Sequence, residues 1–458
     1  MTLSQAAAAI GGRVHGADVT FARVSTDTRT LQDGDLFVAL RGECFDGHAF
    51  VAKAGEAGAV AAMVDAQSAV DVQHALPVLV VDDTRLALGR LAAHWRSRFD
   101  FPVIALTGSS GKTTVKEMIA AILRVAAGSG DAVLATRGNL NNDIGVPLML
   151  LEMKAGQRYA VIETGMNHAG EIDYLAKLAA PDVVLVTNAG RAHIEYLGSE
   201  EAIARAKGEI FEAAPADAVA VINADDRYAP LWRGLAGSRR TIEFGLQGAA
   251  VTGTYTLRDL DSEIVLKTPA GVATTTVEAP GVHNVRNALA AAAAAVALDI
   301  PVSTIARGLA RYRGIKGRLQ RKAAANGAVV IDDTYNANPE SARAAIDVLG
   351  QVAGTRILVL GDMGELGADA PRLHEELGAY ARRAGVDRLL ALGEHAALTA
   401  AAFGGGARHF TKIEELVADV RAALGKDVTV LVKGSRFMKM ERVVDSIAAD
   451  ATGGPACS

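Results

Sequence analysis

The chain has 458 residues, half of them apolar, 22% charged and 12 of them proline, a composition that excludes a disordered protein and suits about three folding units. A formal net charge of -5 and a pI near 6.1 exclude a broad electrostatic footprint for nucleic acid or anionic lipid, so phosphate binding must be local. The two cysteines, Cys44 and Cys457, stand far apart without metal-like spacing, which points to a reducing compartment.

Residues 1–14 lack a basic start and have too short an apolar run for a secretory signal, and predict a short helix capped by Ser4. Strands predicted over 36–40 and 77–81 mix with a helical run over 49–57, defining a small α/β domain, 1–84. A helix is predicted over 85–98, then a strand over 103–106, a glycine-rich turn and a helix over 114–125. Apolar strands over 159–163, 183–187 and 218–222 continue the alternation and predict a parallel sheet covered by helices. Residues 248–277 alternate Thr, Val and charged residues, which predicts antiparallel strands appended to that sheet. The longest apolar run, 288–298, is mostly alanine and far below the roughly 18 residues a membrane span needs, so the expectation is a cytoplasmic chain without membrane insertion. Glycines and bases over 312–318 mark a boundary near Gly314, closing a central domain, 85–313. Strands over 328–332, 356–360, 388–392 and 428–432, alternating with helical segments, predict a Rossmann-like α/β domain, 314–458.

The strongest local signal is Thr107-Gly-Ser-Ser-Gly-Lys-Thr-Thr114, placed between a strand and a helix as a phosphate loop must be. Gly108 and Gly111 let backbone N–H groups curl around a phosphate, with Ser109 and Ser110 filling the turn and Thr114 following. Lys112 supplies a point charge, and Thr113 has a hydroxyl suited to Mg²⁺. Leu106 stands where the longer G-x-x-x-x-G-K-[ST] pattern has glycine, so the loop is of a shorter type, and kinase, ATPase and ligase all stay open on it.

Glu163, ending an apolar strand, is placed to reach a metal beside that loop, although a solvated strand-end acid fits the same position. His193 follows the next strand and suits a second metal or a phosphate; a structural histidine is its bland reading. Lys207 lies on a helical segment, where the pattern alone does not reject an exposed lysine. His283, Asn284 and Asn287 open the alanine-rich helix, and asparagine amides match a purine edge; capping explains one asparagine but not two. Asp332-Asp-Thr-Tyr-Asn-Ala-Asn-Pro339 and Lys433-Gly-Ser-Arg436 both follow strands, where amide and basic groups suit a peptide carboxylate or a transferring phosphoryl group, or else a capped turn.

Taken together and in this order, Thr107 to Thr114, Glu163, Asn188 with His193, Lys207, His283 with Asn284 and Asn287, Arg318, and Asp333 resemble the Mur ligase family over nearly the whole chain. The more variable Asp27-Thr-Arg29, Phe37-Val-Ala-Leu-Arg-Gly42, Asp46-Gly-His48, Gly138-Asn-Leu-Asn-Asn142, Tyr335-Asn-Ala-Asn-Pro339 and Gly361-Asp-Met-Gly-Glu-Leu-Gly367 are similar to its branch that joins D-alanyl-D-alanine to a UDP-linked muramoyl tripeptide. The resemblance implies three domains around a cleft, the first holding UDP, the middle ATP and the last the dipeptide, with the amide formed through an acyl phosphate. It implies that Lys112 and Thr113 contact phosphate and Mg²⁺, that Glu163 and His193 complete metal binding, and that Lys207 becomes a carbamylated metal ligand. Asn287 would meet adenine, Arg318 the phosphate and Asp333 the ribose. For the other substrates it points to Asp27, Arg29, Gly47, His48, Asn139, Asn141, Asn142, Tyr335, Asn336, Asn338, Lys433, Ser435 and Arg436. A monomer is expected.

Within the family, a ligase adding the third amino acid is disfavoured because the Asp-Asn-Pro-Arg type of signature is missing; folylpolyglutamate synthase is the other near rival. A phosphate-loop switch or transport ATPase, and a non-enzymatic nucleotide-binding module, are the readings from other classes.

Overall fold

The structure, a computed structural model, describes residues 1–42, 45–68, 76–191, 194–258 and 261–449. Cys44, Cys457 and His193 lie outside them. No described helix is long and apolar enough to cross a membrane.

The chain opens with the helix Leu3–Ile10, and its cap corrects the expectation for Ser4. Thr2 has the extended backbone a cap needs, and its hydroxyl accepts from the Gln5 N–H while Gln5 reaches back to Thr2, a reciprocal capping box. Ser4 is already one residue inside the helix, and its own N–H donates to Asp18 at 2.8 Å. A five-stranded sheet follows in the order Arg13–His15, Val78–Val81, Ala61–Asp65, Asp35–Val38, Arg23–Ser25, parallel except for the first strand. The helix Thr84–Arg96 starts on the Asp83 carboxylate, which accepts from the N–H groups of Arg85 and Leu86. It packs on Leu3–Ile10 and also on the central helices Gly145–Leu151 and Glu171–Ala179, binding the first unit to the second.

The central sheet has six strands, all parallel, in the order Thr241–Phe244, Val219–Asn223, Val183–Val186, Val103–Thr107, Tyr159–Glu163, Val133–Ala135. Its inner strands are apolar on both faces because helices cover both. Lys112–Ala127 and the alanine-rich Val282–Ala297 bury one face, while Glu200–Ala213 and Ala229–Ala236 bury the other.

The strands Thr252–Leu257, Ser262–Thr268 and Gly271–Val277 are antiparallel as expected, but they form a separate three-stranded sheet rather than an extension of the parallel one. A single bridge, Phe244 to Val251, touches the parallel sheet. Alternation gives these strands one apolar face, and Ile264, Leu266 and Val277 turn it onto the core built around the alanine helix.

The third unit is a six-stranded sheet in the order Gln320–Ala323, Val329–Asp333, Val428–Lys433, Thr355–Gly361, Arg388–Leu392, Ala407–Phe410, parallel but for the first strand. Between the second and third units the chain takes positive φ at Gly314 (71°), Gly317 (74°) and Leu319 (51°), a tight bend that turns the third sheet toward the second. Side chains at the carboxyl ends of strands in both sheets, such as Glu163 and Asp333, then line one cleft of about 1670 Å³.

Candidate active site

The phosphate loop is built by its neighbours. Gly111, at φ 80°, ends the loop and starts the helix Lys112–Ala127. A Cβ there would lie 2.5 Å from the Asn287 side-chain oxygen, so only glycine lets the loop pass. Asn188 brackets Ser110, accepting from its N–H and donating to its carbonyl, each at 3.0 Å. Thr187 donates to the same carbonyl at 2.7 Å, and the Ser109 hydroxyl exchanges bonds with Gly190. These bonds hold the loop from its neighbours, and the N-terminus of the helix Lys112–Ala127 lines the cleft.

Lys112 donates from Nζ to the Gly108 carbonyl at 2.7 Å. Burial holds its pKa below the ordinary value, assisted by the Arg318 charge and opposed by Glu163 and Glu365. Glu163 is 2% exposed, so the solvated strand-end reading fails. Its Oε1 accepts from Asn141 at 3.0 Å, and its backbone N–H donates to the Thr136 hydroxyl at 2.9 Å. Its Oε2 is buried with no hydrogen-bond partner among the described residues. A buried carboxylate oxygen lacking a donor, beside a phosphate loop and the Thr113 hydroxyl, fits a hard cation that takes its other ligands from phosphate and water. No cluster of three His, Cys, Asp or Glu suited to a metal occurs among the described residues.

Lys207, on the helix Glu200–Ala213, is 1% exposed, which replaces the exposed-lysine reading with a buried amine. Burial, then the charge of Lys112, holds its pKa well below the lysine range. At the head of Val282–Ala297 the cap is Gly281, at φ 92°, so neither asparagine is the cap. Asn284 donates to the Pro280 carbonyl at 2.8 Å and accepts from Asn287 at 3.0 Å. His283 lines the cleft with its pKa pushed down to about 4 by burial and by the Lys433 and Arg286 charges.

The third unit closes onto this loop. Arg318 donates from Nη2 to the Thr113 hydroxyl at 2.9 Å, with its guanidinium 4.3 Å from the Tyr335 ring centre. Asn338 donates to the Ser110 hydroxyl at 3.3 Å while capping Pro339–Gly350 through Ser341. Asp333 accepts from the Leu319 N–H at 3.1 Å and from Lys433 Nζ at 2.5 Å. Burial raises the Asp333 pKa, and Lys433 opposes the rise. Lys433 also donates to the Asn336 carbonyl at 2.9 Å.

Asn139, Asn141, Asn142, Tyr335, Asn336, Asn338 and Lys433 thus share the cleft with the loop. Ser435 stands behind it, donating to the Ala337 carbonyl at 3.1 Å, and Arg436 points to Glu441 at 3.0 Å. Asp27, Arg29, Gly47 and His48 sit in the first unit and do not line this cleft. Asp27 and Arg29 pair at 2.6 Å, whereas His48 is buried, 2.6 Å from Asp46 and accepting from the Asp65 N–H at 3.1 Å. Reading by residue type gave no role to Glu365, which lines the cleft in a left-handed conformation, φ 62°. The signal for it was available in the Gly-Asp-Met-Gly-Glu-Leu-Gly stretch following a strand.

A phosphate loop, a buried carboxylate beside it and a second α/β unit that lays an arginine on the loop define a nucleotide-binding protein of the phosphate-loop class with its site between units. Family models agree on every unit: "Mur ligase family, catalytic domain" matches residues 20–96, "Mur ligase middle domain" 106–295 and "Mur ligase, glutamate ligase domain" 317–436. The chain belongs to the Mur ligase family. It is 43% identical over 459 residues to the UDP-N-acetylmuramoyl-tripeptide--D-alanyl-D-alanine ligase of Escherichia coli strain K12, covering 99% of each chain. With the enzyme of that name from Bacillus subtilis strain 168 it shares 38% over 440 residues, 93% of this chain and 92% of the other. Among solved structures, a MurF crystal structure from Acinetobacter baumannii superposes with a TM-score of 0.89 at 39% identity, covering 97% and 98% of the two chains. The MurF ligase from Thermotoga maritima in complex with ADP gives 0.79 at 27% identity, covering 93% and 96%.

Proposed function

We infer that this chain is an ATP-dependent amide-bond ligase that adds D-alanyl-D-alanine to a UDP-N-acetylmuramoyl tripeptide. The products are the UDP-linked pentapeptide, ADP and phosphate, in peptidoglycan precursor synthesis. The observation that carries the reading is the cleft itself, where Lys112, Glu163, Arg318 and Lys433 converge, in a chain matching ligases of that name from end to end.

A carboxylate does not react with an amine until its oxygen becomes a better leaving group, and phosphoryl transfer from ATP makes it one. We assign the nucleotide phosphates to Gly108–Thr114, with Lys112 placed against the charge that develops, and adenine and ribose to His283, Asn284, Asn287 and Asp333. Arg318 meets the phosphates from the opposite side. Thr113 and Glu163 would hold Mg²⁺, completed by His193, and the ion would neutralise phosphate oxygens when bound. The acyl phosphate is then attacked by the dipeptide amine and releases phosphate. A cleft shared by two closing units excludes the water that would destroy it.

Domain limits of 1–84, 85–313 and 314–458 go with this reading. The first unit takes UDP through Asp27, Arg29, Gly47 and His48. Asn139, Asn141 and Asn142 take the tripeptide, and Tyr335, Asn336, Asn338, Lys433, Ser435 and Arg436 the dipeptide. Lys207 is assigned as a carbamylated lysine, because burial and the Lys112 charge favour the neutral amine, the form that reacts with carbon dioxide; mass spectrometry of the Mg²⁺-bound enzyme tests it. A monomer goes with this reading, and ATP with a UDP-linked substrate supports a cytoplasmic setting.

The deciding experiment is phosphate release from ATP with each substrate omitted in turn. Release requiring both UDP-tripeptide and D-alanyl-D-alanine is expected; release with neither would make the chain an ATPase. Running it with lysine and with diaminopimelate at position three defines the tripeptide.

A further inference from the structure

The stretch 361–367, between the strand Thr355–Gly361 and the turn Gly367–Asp369, carries Glu365 to the cleft in a left-handed backbone conformation, φ 62°. A side chain resists that conformation, so the loop must be restrained from outside. Asp362 accepts from the N–H groups of Ala396 at 2.7 Å and Glu394 at 2.9 Å. The Ser435 hydroxyl accepts from the Gly364 N–H at 2.8 Å. A further restraint is His374, fully buried on the helix Ala370–Arg383, whose Nε2 accepts from the Met363 N–H at 3.0 Å.

The partners of His374 define its protonation. Its Nδ1 lies 2.7 Å from the Ala370 carbonyl, which only accepts, so Nδ1 carries the hydrogen. The Met363 N–H only donates, so Nε2 must offer a lone pair. Only the neutral Nδ1–H tautomer satisfies both. The ionisable groups facing the ring are Asp362, which favours its protonation, and His395, 5.3 Å away between ring centres, which opposes it.

We propose that His374 is a positioning residue of the ligase cleft: its neutral tautomer locks the loop that presents Glu365 and bonds Ser435, a residue the ligase reading gives to the dipeptide, and thereby tunes use of the incoming amine. The proposal rests on the ligase reading above. Protonation of Nε2 would set two donors against each other and release Met363, so the restraint weakens as pH falls. Burial depresses the pKa of this histidine, which places the release on the acid side of its ordinary value.

His374→Leu and His374→Gln in the full chain test this, because leucine removes the acceptor whereas glutamine keeps one that does not titrate. For His374→Leu the kcat/KM for D-alanyl-D-alanine should fall about tenfold, with KM for ATP little changed. For His374→Gln activity should stay within about threefold of the parent and the acid limb of its pH profile should flatten. A parental kcat/KM in the leucine variant, or an unchanged acid limb in the glutamine variant, would overturn the proposal. Amide hydrogen exchange over 361–367, measured without substrates, should be about tenfold faster in His374→Leu; unchanged exchange would also overturn it. Faster exchange in a protein whose parent never uses the dipeptide would support the restraint and count against the ligase reading alone.

Discussion

Arg318 and Thr113, 205 positions apart, are joined by a 2.9 Å hydrogen bond from guanidinium to hydroxyl. It puts a cation of the third unit on the residue that follows the phosphate-loop lysine, where the proposed function would have charge develop during phosphoryl transfer. Replacing Arg318 with Ala should lower kcat by about 10²–10³ with little change in melting temperature. Lysine should restore only part of the loss, since it lacks the planar fork that meets both a hydroxyl and a phosphate. Phosphate release and a thermal melt check both; parental kcat in Arg318→Ala would remove the assignment.

The second carboxyl oxygen of Glu163 is buried with no hydrogen-bond partner among the described residues. Glu163→Gln should therefore leave the metal-free protein as stable as the parent or slightly more so, while lowering kcat on the order of 10². The Mg²⁺ concentration giving half-maximal rate should rise. Melts without metal and a Mg²⁺ titration of activity separate these effects, and a large loss of stability in metal-free Glu163→Gln would mean the carboxylate is structural.

The Lys433–Asp333 pair is buried on both sides. Lys433→Met leaves the carboxylate without its main partner and should cost about 3–5 kcal/mol by urea denaturation. Adding Asp333→Asn should recover much of that loss, because the stranded charge is gone. A double variant no more stable than Lys433→Met would show that the lysine acts through packing.

His283 has its folded pKa pushed down to about 4, below the roughly 6.5 of an unfolded histidine. Between those values the unfolded chain binds more protons, so stability present above pH ~6.5 is lost as pH falls toward 4. Folding free energy measured over that window should slope upward with pH, and His283→Gln should reduce the slope. An unchanged slope would place the titration elsewhere.

Much of this was legible in the chain because local rules and the fold agree. The phosphate loop was readable from its own residues, and the strands at 159–163 and 388–392 were read to the residue because apolar runs bounded by turns leave little choice. Ser4 misled because Thr2, one step outside the helix, is also a capping type, and only backbone angles decide between neighbours. The strands over 252–277 were recognised, but their attachment was not, since alternation reports a buried face and not what covers it. The burial of Lys207 and the left-handed backbone of Glu365 were out of reach of pattern reading. A lysine's burial depends on the helices around it, and a left-handed glutamate has no composition signal.

Arg318 lies within the bend that links the second and third units, one residue after Gly317 and one before Leu319, both at positive φ. Any rotation of the third unit about that bend must carry the guanidinium with it. Under the proposed function, swinging the third unit away and withdrawing this cation from the phosphate loop would be a single movement, so that an open form would also be a chemically disarmed one.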